Sequence, residues 1–117
     1  MLLKNDINGR NGLRRIILEH YQKQNVPITI FSESDEHGFF NVHFLINRKY
    51  VARYGIGEDR STSIGGVQLA IGPHYFSPED FWDYESAQRF SIETSEDAIR
   101  RNLKLLDEFL KSRENGN

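Results

Sequence analysis

Cysteine is absent from this chain of 117 residues. That excludes a disulfide framework, a thiolate metal site and a cysteine nucleophile. An excess of positive charge is also missing: 15 Lys plus Arg stand against 17 Asp plus Glu, a net −2. Such a balance gives no general attraction to nucleic acid or to an anionic membrane surface. No apolar run approaches the roughly 20 residues that cross a bilayer. The opening Met1-Leu2-Leu3-Lys4-Asn5-Asp6 lacks the long apolar stretch of a signal peptide, so a cytoplasmic protein is expected. There are no repeats, low-complexity tracts or linkers. Hydrophobic residues make up 38% and aromatics 12%, enough for one core, and residues 1–117 read as a single α+β domain.

What is there falls into two periods. In "NGLRRIILEHYQKQN", Leu13, Ile16, Ile17 and Tyr21 recur at helical spacing, with Asn11 as N-cap and Asn25 and Pro27 as the stop. "PITIFSE" is rich in β-formers and predicts a strand near 28–33. In "FFNVHFLI", Phe40, Val42, Phe44 and Ile46 alternate with Phe39, Asn41, His43 and Leu45, and Asn47-Arg48-Lys49 turns the chain back into "YVARYGI". "GEDRSTSIGG" reads as the longest polar connection, leading to a strand at "VQLAIG". Near the end, Thr94 opens a capping-box-like segment with Asp97. Ala98, Ile99, Leu103, Leu106 and Leu110 follow as an apolar stripe widened by Phe109, before a frayed "RENGN". The expected architecture is an antiparallel meander of about four strands, with the N-terminal and C-terminal helices on one face.

Signatures of chemistry are scarce. His20, His37, His43 and His74 form no metal-ligand spacing, so no metal and no cofactor is expected. "GIGED" lacks the following helix that completes a phosphate site, and "STSIGG" is no P-loop. Ser61, Thr62 and Ser63 sit in no nucleophile elbow. Adjacent acids such as Glu58/Asp59 and Glu79/Asp80 point apart. Arg48, Lys49 and Arg53 interleave with aromatics as single-strand nucleic-acid binders do, but half of those aromatics are claimed by strand alternation. The sequence therefore reads as a non-enzyme that binds no nucleic acid directly.

The exception is "FSPEDFWDYE", residues 76–85, where the only tryptophan and three other aromatics stand among four carboxylates. Ser77 as N-cap, Pro78 at the first helical position and Glu79 and Asp80 in the first turn predict a short helical turn near 77–85. Phe81 is expected in the core, and Trp82 reads equally as core or as interface. Trp82, Asp83, Tyr84 and Glu85 are left without a folding role. Aromatic anchors ringed by acids suit a basic protein partner, so Glu79, Asp80, Trp82, Asp83, Tyr84 and Glu85 are interface candidates. Glu33, Asp35 and Glu36 form a second acidic cluster.

"FSPEDFWDYESAQRF" followed by "TSEDAIRRNLKLLDEFLKSRE", in a small cysteine-free α+β chain, resembles bacterial immunity proteins of contact-dependent inhibition and related polymorphic-toxin systems. The resemblance implies a non-catalytic inhibitor that covers the active site or substrate surface of a cognate toxin domain, often a basic nuclease. Inhibitors of basic nucleases are often more acidic than −2, which leaves the toxin's activity open. Two other classes compete. One is a small enzyme or ligand-binding domain with a pocket between sheet and helices, holding His43 or His74. The other is a secretion chaperone-like adaptor, which would dimerise and display an apolar groove.

Overall fold

The computed structural model describes residues 7–36 and 38–115. Helix α1 (Ile7–Gln22) is followed by strands β1 (Ile28–Glu36), β2 (Phe39–Ile46), β3 (Tyr50–Asp59), β4 (Thr62–Ile71) and β5 (His74–Phe76). Two short helices, α2 (Pro78–Phe81) and α3 (Tyr84–Ala87), lead to the long α4 (Glu96–Asn115). The strands form one antiparallel meander in sequence order. The α+β architecture is thus as expected from periodicity, with five strands where about four were expected.

Strand alternation decides which face is covered. Phe40, Val42, Phe44, Ile46, Ala52, Tyr54, Ile56, Val67 and Leu69 share one face, and all are buried with Leu13, Ile16 and Ile17 of α1 and Ile99, Leu103 and Leu106 of α4. This single stack of apolar side chains is what the two amphipathic helices bury, and burial of that stripe stabilises them more than propensity does. A bulge in β1 changes the alternation: Ile30 faces Phe44 and Ser32 faces His43, leaving Phe31 as the extra residue. Beyond it, Glu33 lies on the helix side and binds Arg14 of α1 through two oxygens, at 2.7 and 2.9 Å.

Several local expectations shift. Asn11 lies inside α1 and is not its cap, since the helix starts at Ile7. Its far end closes as expected: Asn25 adopts φ +58 and the Val26 amide reaches back to the Tyr21 carbonyl at 3.0 Å. "GEDRSTSIGG" is not a loop but the two inner ends of a hairpin. Arg60 and Ser61 both take positive φ (53 and 69), which is the tight turn whose twist matches the strands. Such a turn normally carries Asn-Gly, so Arg-Ser hid it. Asn47 and Arg48 turn β2 into β3 in the same way, with φ 56 and 57.

The cap of α4 is Ser95, one residue later than Thr94: its Oγ accepts from the Ala98 amide at 3.2 Å. At the other end α4 continues through Arg113, Glu114 and Asn115, so most of "RENGN" is helical. The stretch 77–85 is two turns, because Trp82 and Asp83 are both extended (ψ 168 and 161). His37, expected in a turn, lies outside the described residues. Among the described residues no helix is long and apolar enough to cross a membrane.

Two polar clusters tie the helices down. Asp107 of α4 accepts from Tyr21 Oη at 2.8 Å and pairs with His20 Nε2 at 2.7 Å, joining α4 to α1. Asn102, fully buried, donates from Nδ2 to Tyr54 Oη and to the Ser91 carbonyl, both at 2.8 Å, and accepts from the Ser91 amide at 2.9 Å. Replacing Asn102 by alanine leaves buried donors and acceptors without partners, each worth about 1–3 kcal/mol. Urea unfolding of Asn102→Ala is expected to show a loss of about 2–3 kcal/mol; a loss under about 0.5 kcal/mol would show that the cluster is not a structural tie.

Candidate functional site

The long helices α1 and α4 pack on the other face and leave the sheet's second face open. Phe39, Asn41, His43, Leu45, Arg53, Gln68 and Tyr75 point to it, as the register with Gly57, Gly55, Arg53, Val51, Gln68 and Ala70 requires. Two glycines shape its surface. Asn41 and Phe39 lie flat across β3, and a Cβ on Gly55 would stand 2.5 Å from Asn41 Oδ1, one on Gly57 2.7 Å from the Phe39 ring. Neither position admits a larger residue without moving these side chains.

A relay of polar side chains crosses this face. Ser34 Oγ meets His43 Nε2 at 3.2 Å, and His43 Nδ1 meets Tyr75 Oη at 2.9 Å. The Arg53 guanidinium lies 4.3 Å over the Tyr75 ring. Its Nε donates to Gln68 Oε1, and Gln68 Nε2 donates to Ser77 Oγ at 3.2 Å. Ser77 thus precedes α2 without capping it by its side chain; its hydroxyl serves the sheet instead.

Beside the relay lies a half-open cavity of about 540 Å³. Its floor is the open sheet face at Asn41, Arg53, Gly66 and Gln68, and its wall is the segment from Ser77 to Ile92. That segment is fixed against the β4 edge by the Ile92 carbonyl, which accepts from the Gly65 amide at 2.8 Å, and by the Asn102 contacts to Ser91. This cavity lies on the sheet face away from α1 and α4, with α2 and α3 in its wall. His43 adjoins the relay but does not line this cavity, and His74 is exposed at the start of β5.

The residues singled out by sequence are distributed as follows. Trp82 packs against the core through Phe109 (ring centres 5.4 Å) and Phe90 (6.2 Å), beside Phe81. Asp83 caps α3, accepting from the Ser86 amide at 2.9 Å and its hydroxyl at 3.0 Å. Those two bonds hold its carboxyl below the usual range. Tyr84 is 75% exposed, and Glu79, Asp80 and Glu85 are exposed as well. Of the second cluster, Glu33 is engaged by Arg14, Asp35 is exposed, and Glu36 reaches the cavity rim. Arg53, Asn41 and Gln68 were missed as a group. Their spacing along alternating strands was visible, but their convergence depends on the β2–β3–β4 register.

Among the described residues no three His, Asp or Glu side chains gather as metal ligands. Compared with known proteins, the chain matches no family model, and no curated protein or solved structure matches it significantly.

Burial lowers the His43 pKa below its ordinary 6.5; Arg53 lowers it further, and Glu36 opposes both. The unfolded chain therefore protonates this imidazole at a pH where the folded chain keeps it neutral. Its effect on stability is nil well above pH 6.5, grows unfavourable as pH falls from 6.5 towards the lower folded value, and levels off below it. A histidine NMR titration is expected to show the His43 midpoint rising in Arg53→Gln and falling in Glu36→Gln. Unchanged midpoints would mean that these charges do not reach the ring.

Proposed function

We propose that this chain is a non-catalytic, cytoplasmic, protein-binding inhibitor of the immunity type, which neutralises a cognate toxin domain by covering its active site or substrate surface. The observation that carries this reading is Tyr84. It is 75% exposed on a turn that Asp83 caps and that Phe81 and Trp82 anchor to the core, and Glu79, Asp80 and Glu85 of the same segment are exposed too. An aromatic side chain on an anchored backbone turn loses only its few rotamers when a partner covers it. Acids at its rim steer a basic partner and orient it, more than they add affinity.

Trp82 and Asp83 support the interface from below, since their side chains are engaged in packing and capping. Charge reversal at Asp83 would unwind α3 as well as alter the surface. The informative residues are Tyr84 and Glu85. A second reading, a ligand-binding domain, draws support from the cavity on the open sheet face.

The test is neutralisation. A partner captured from the native host should arrest growth when produced alone and be silenced by co-production of this chain. Tyr84→Ala combined with Glu85→Lys should abolish that protection, with affinity reduced at least about 30-fold and the thermal midpoint unchanged. Full protection by the double variant, or a captured partner without toxicity, overturns this reading.

A further inference from the structure

We propose that the cavity on the open sheet face is a binding site for a small monocarboxylate with an apolar body, its carboxylate on Arg53 and Asn41. The inference rests on Arg53 and Asn41 and not on Tyr84, although Glu79 borders both surfaces.

The first observation is an arginine without a counter-ion. The other half-buried arginines among the described residues, Arg14 and Arg100, are each engaged by carboxylates at 2.6–2.9 Å. Arg53 has no carboxylate partner among the described residues; its contacts are the Tyr75 ring and Gln68. Stacking fixes the guanidinium plane, and the Nε bond to Gln68 uses one edge. Arg53 lines the cavity, and its terminal N–H groups donate to no described residue; they form the planar fork that matches a carboxylate through two parallel bonds.

The second observation is Asn41, which is only 9% exposed and whose side chain makes no hydrogen bond to any described residue. Among the described residues no fully enclosed side-chain polar atom lacks a partner, so the Asn41 amide is open to the cavity it lines and meets its hydrogen-bonding need there. The amide can donate to the carboxylate oxygen that Arg53 does not saturate.

The rest of the lining selects the ligand's body. Gly66 leaves the floor bare, with no atom within 4 Å of where its Cβ would stand. Ile64, Phe90 and Ile92 give apolar wall, and Ile92 is 67% exposed, surface that a ligand would cover. Glu36 and Glu79 stand at the rim. One guanidinium between two acids accepts a single negative charge and disfavours a dianion such as phosphate. A volume of about 540 Å³ suits one ring with a short chain.

Phenylacetate is the probe, with phenylacetamide and inorganic phosphate as comparisons, followed by amide NMR shifts in the full chain. Saturable shifts confined to Asn41, Arg53, Gly66, Gln68 and their neighbours are expected, with half-saturation at or below about 10 mM. Phenylacetamide and phosphate should each bind at least about tenfold more weakly. Arg53→Gln should weaken phenylacetate about tenfold or more, and Gly66→Val, which fills the floor on a strand that tolerates valine, should abolish it. Glu36→Gln should tighten it by about twofold or more, a gain that misfolding cannot produce. Undiminished binding in Arg53→Gln, equal binding of the amide or phosphate, or unsaturable shifts would overturn the proposal.

Discussion

Asn102 is the constraint on which the open side of the molecule depends. A fully buried amide in the middle of α4 stays hydrogen-bonded only if Tyr54 of β3 and the backbone of Ser91 meet it in one place. Three parts of the chain that no short-range rule connects are thereby held together: the sheet's central strand, the long helix and the irregular stretch before it. Low local dielectric makes each of these bonds strong and its loss expensive. Because Ser91 is held from the core side, its neighbours Phe90 and Ile92 stand as a wall along β4. Without that tie, the segment from Ser77 to Ile92 would have little reason to follow the sheet edge.

The two faces of the sheet then take different parts. One is packed with the apolar side chains of α1 and α4. The other carries the Ser34–His43–Tyr75 contacts and the Arg53–Gln68–Ser77 contacts, both joined through the stacking of Arg53 on Tyr75. Glycines at 55 and 57 let Asn41 and Phe39 lie flat, which keeps this face low and concave. The acidic edge around Tyr84 is built differently, from exposed side chains on a turn whose inward residues are packed.

Much of the fold was legible. The helical stripe from Ala98 to Leu110 and the alternation from Phe39 to Ile46 are direct images of burial, because a residue's side is set by its period. Phe81, expected in the core, packs against it half-buried. The β3–β4 hairpin was not, since Arg60 and Ser61 are poor carriers of a left-handed turn and their conformation is imposed by the pairing of the flanking strands. The bulge at Phe31 was equally silent, yet it decides that Glu33 faces Arg14 while Glu36 faces the cavity. The acidic-aromatic segment was found by composition, but composition could not separate Tyr84, left outside, from Trp82, which Phe90 and Phe109 enclose.

By itself the sequence determined the class of fold, the inward faces of its long helices and of its middle strands, and the absence of thiol chemistry, for these follow from residue type and period alone. Tertiary structure decided which polar residues would meet. Asn41, Arg53 and Gln68 are separated along the chain and ordinary in isolation; only antiparallel register, which sets strands side by side at about 4.8 Å, brings them over one floor. Whether an arginine finds an acid, or an asparagine a partner, is a property of neighbours in space. For Arg53 and Asn41, the neighbour that the fold supplies is a cavity.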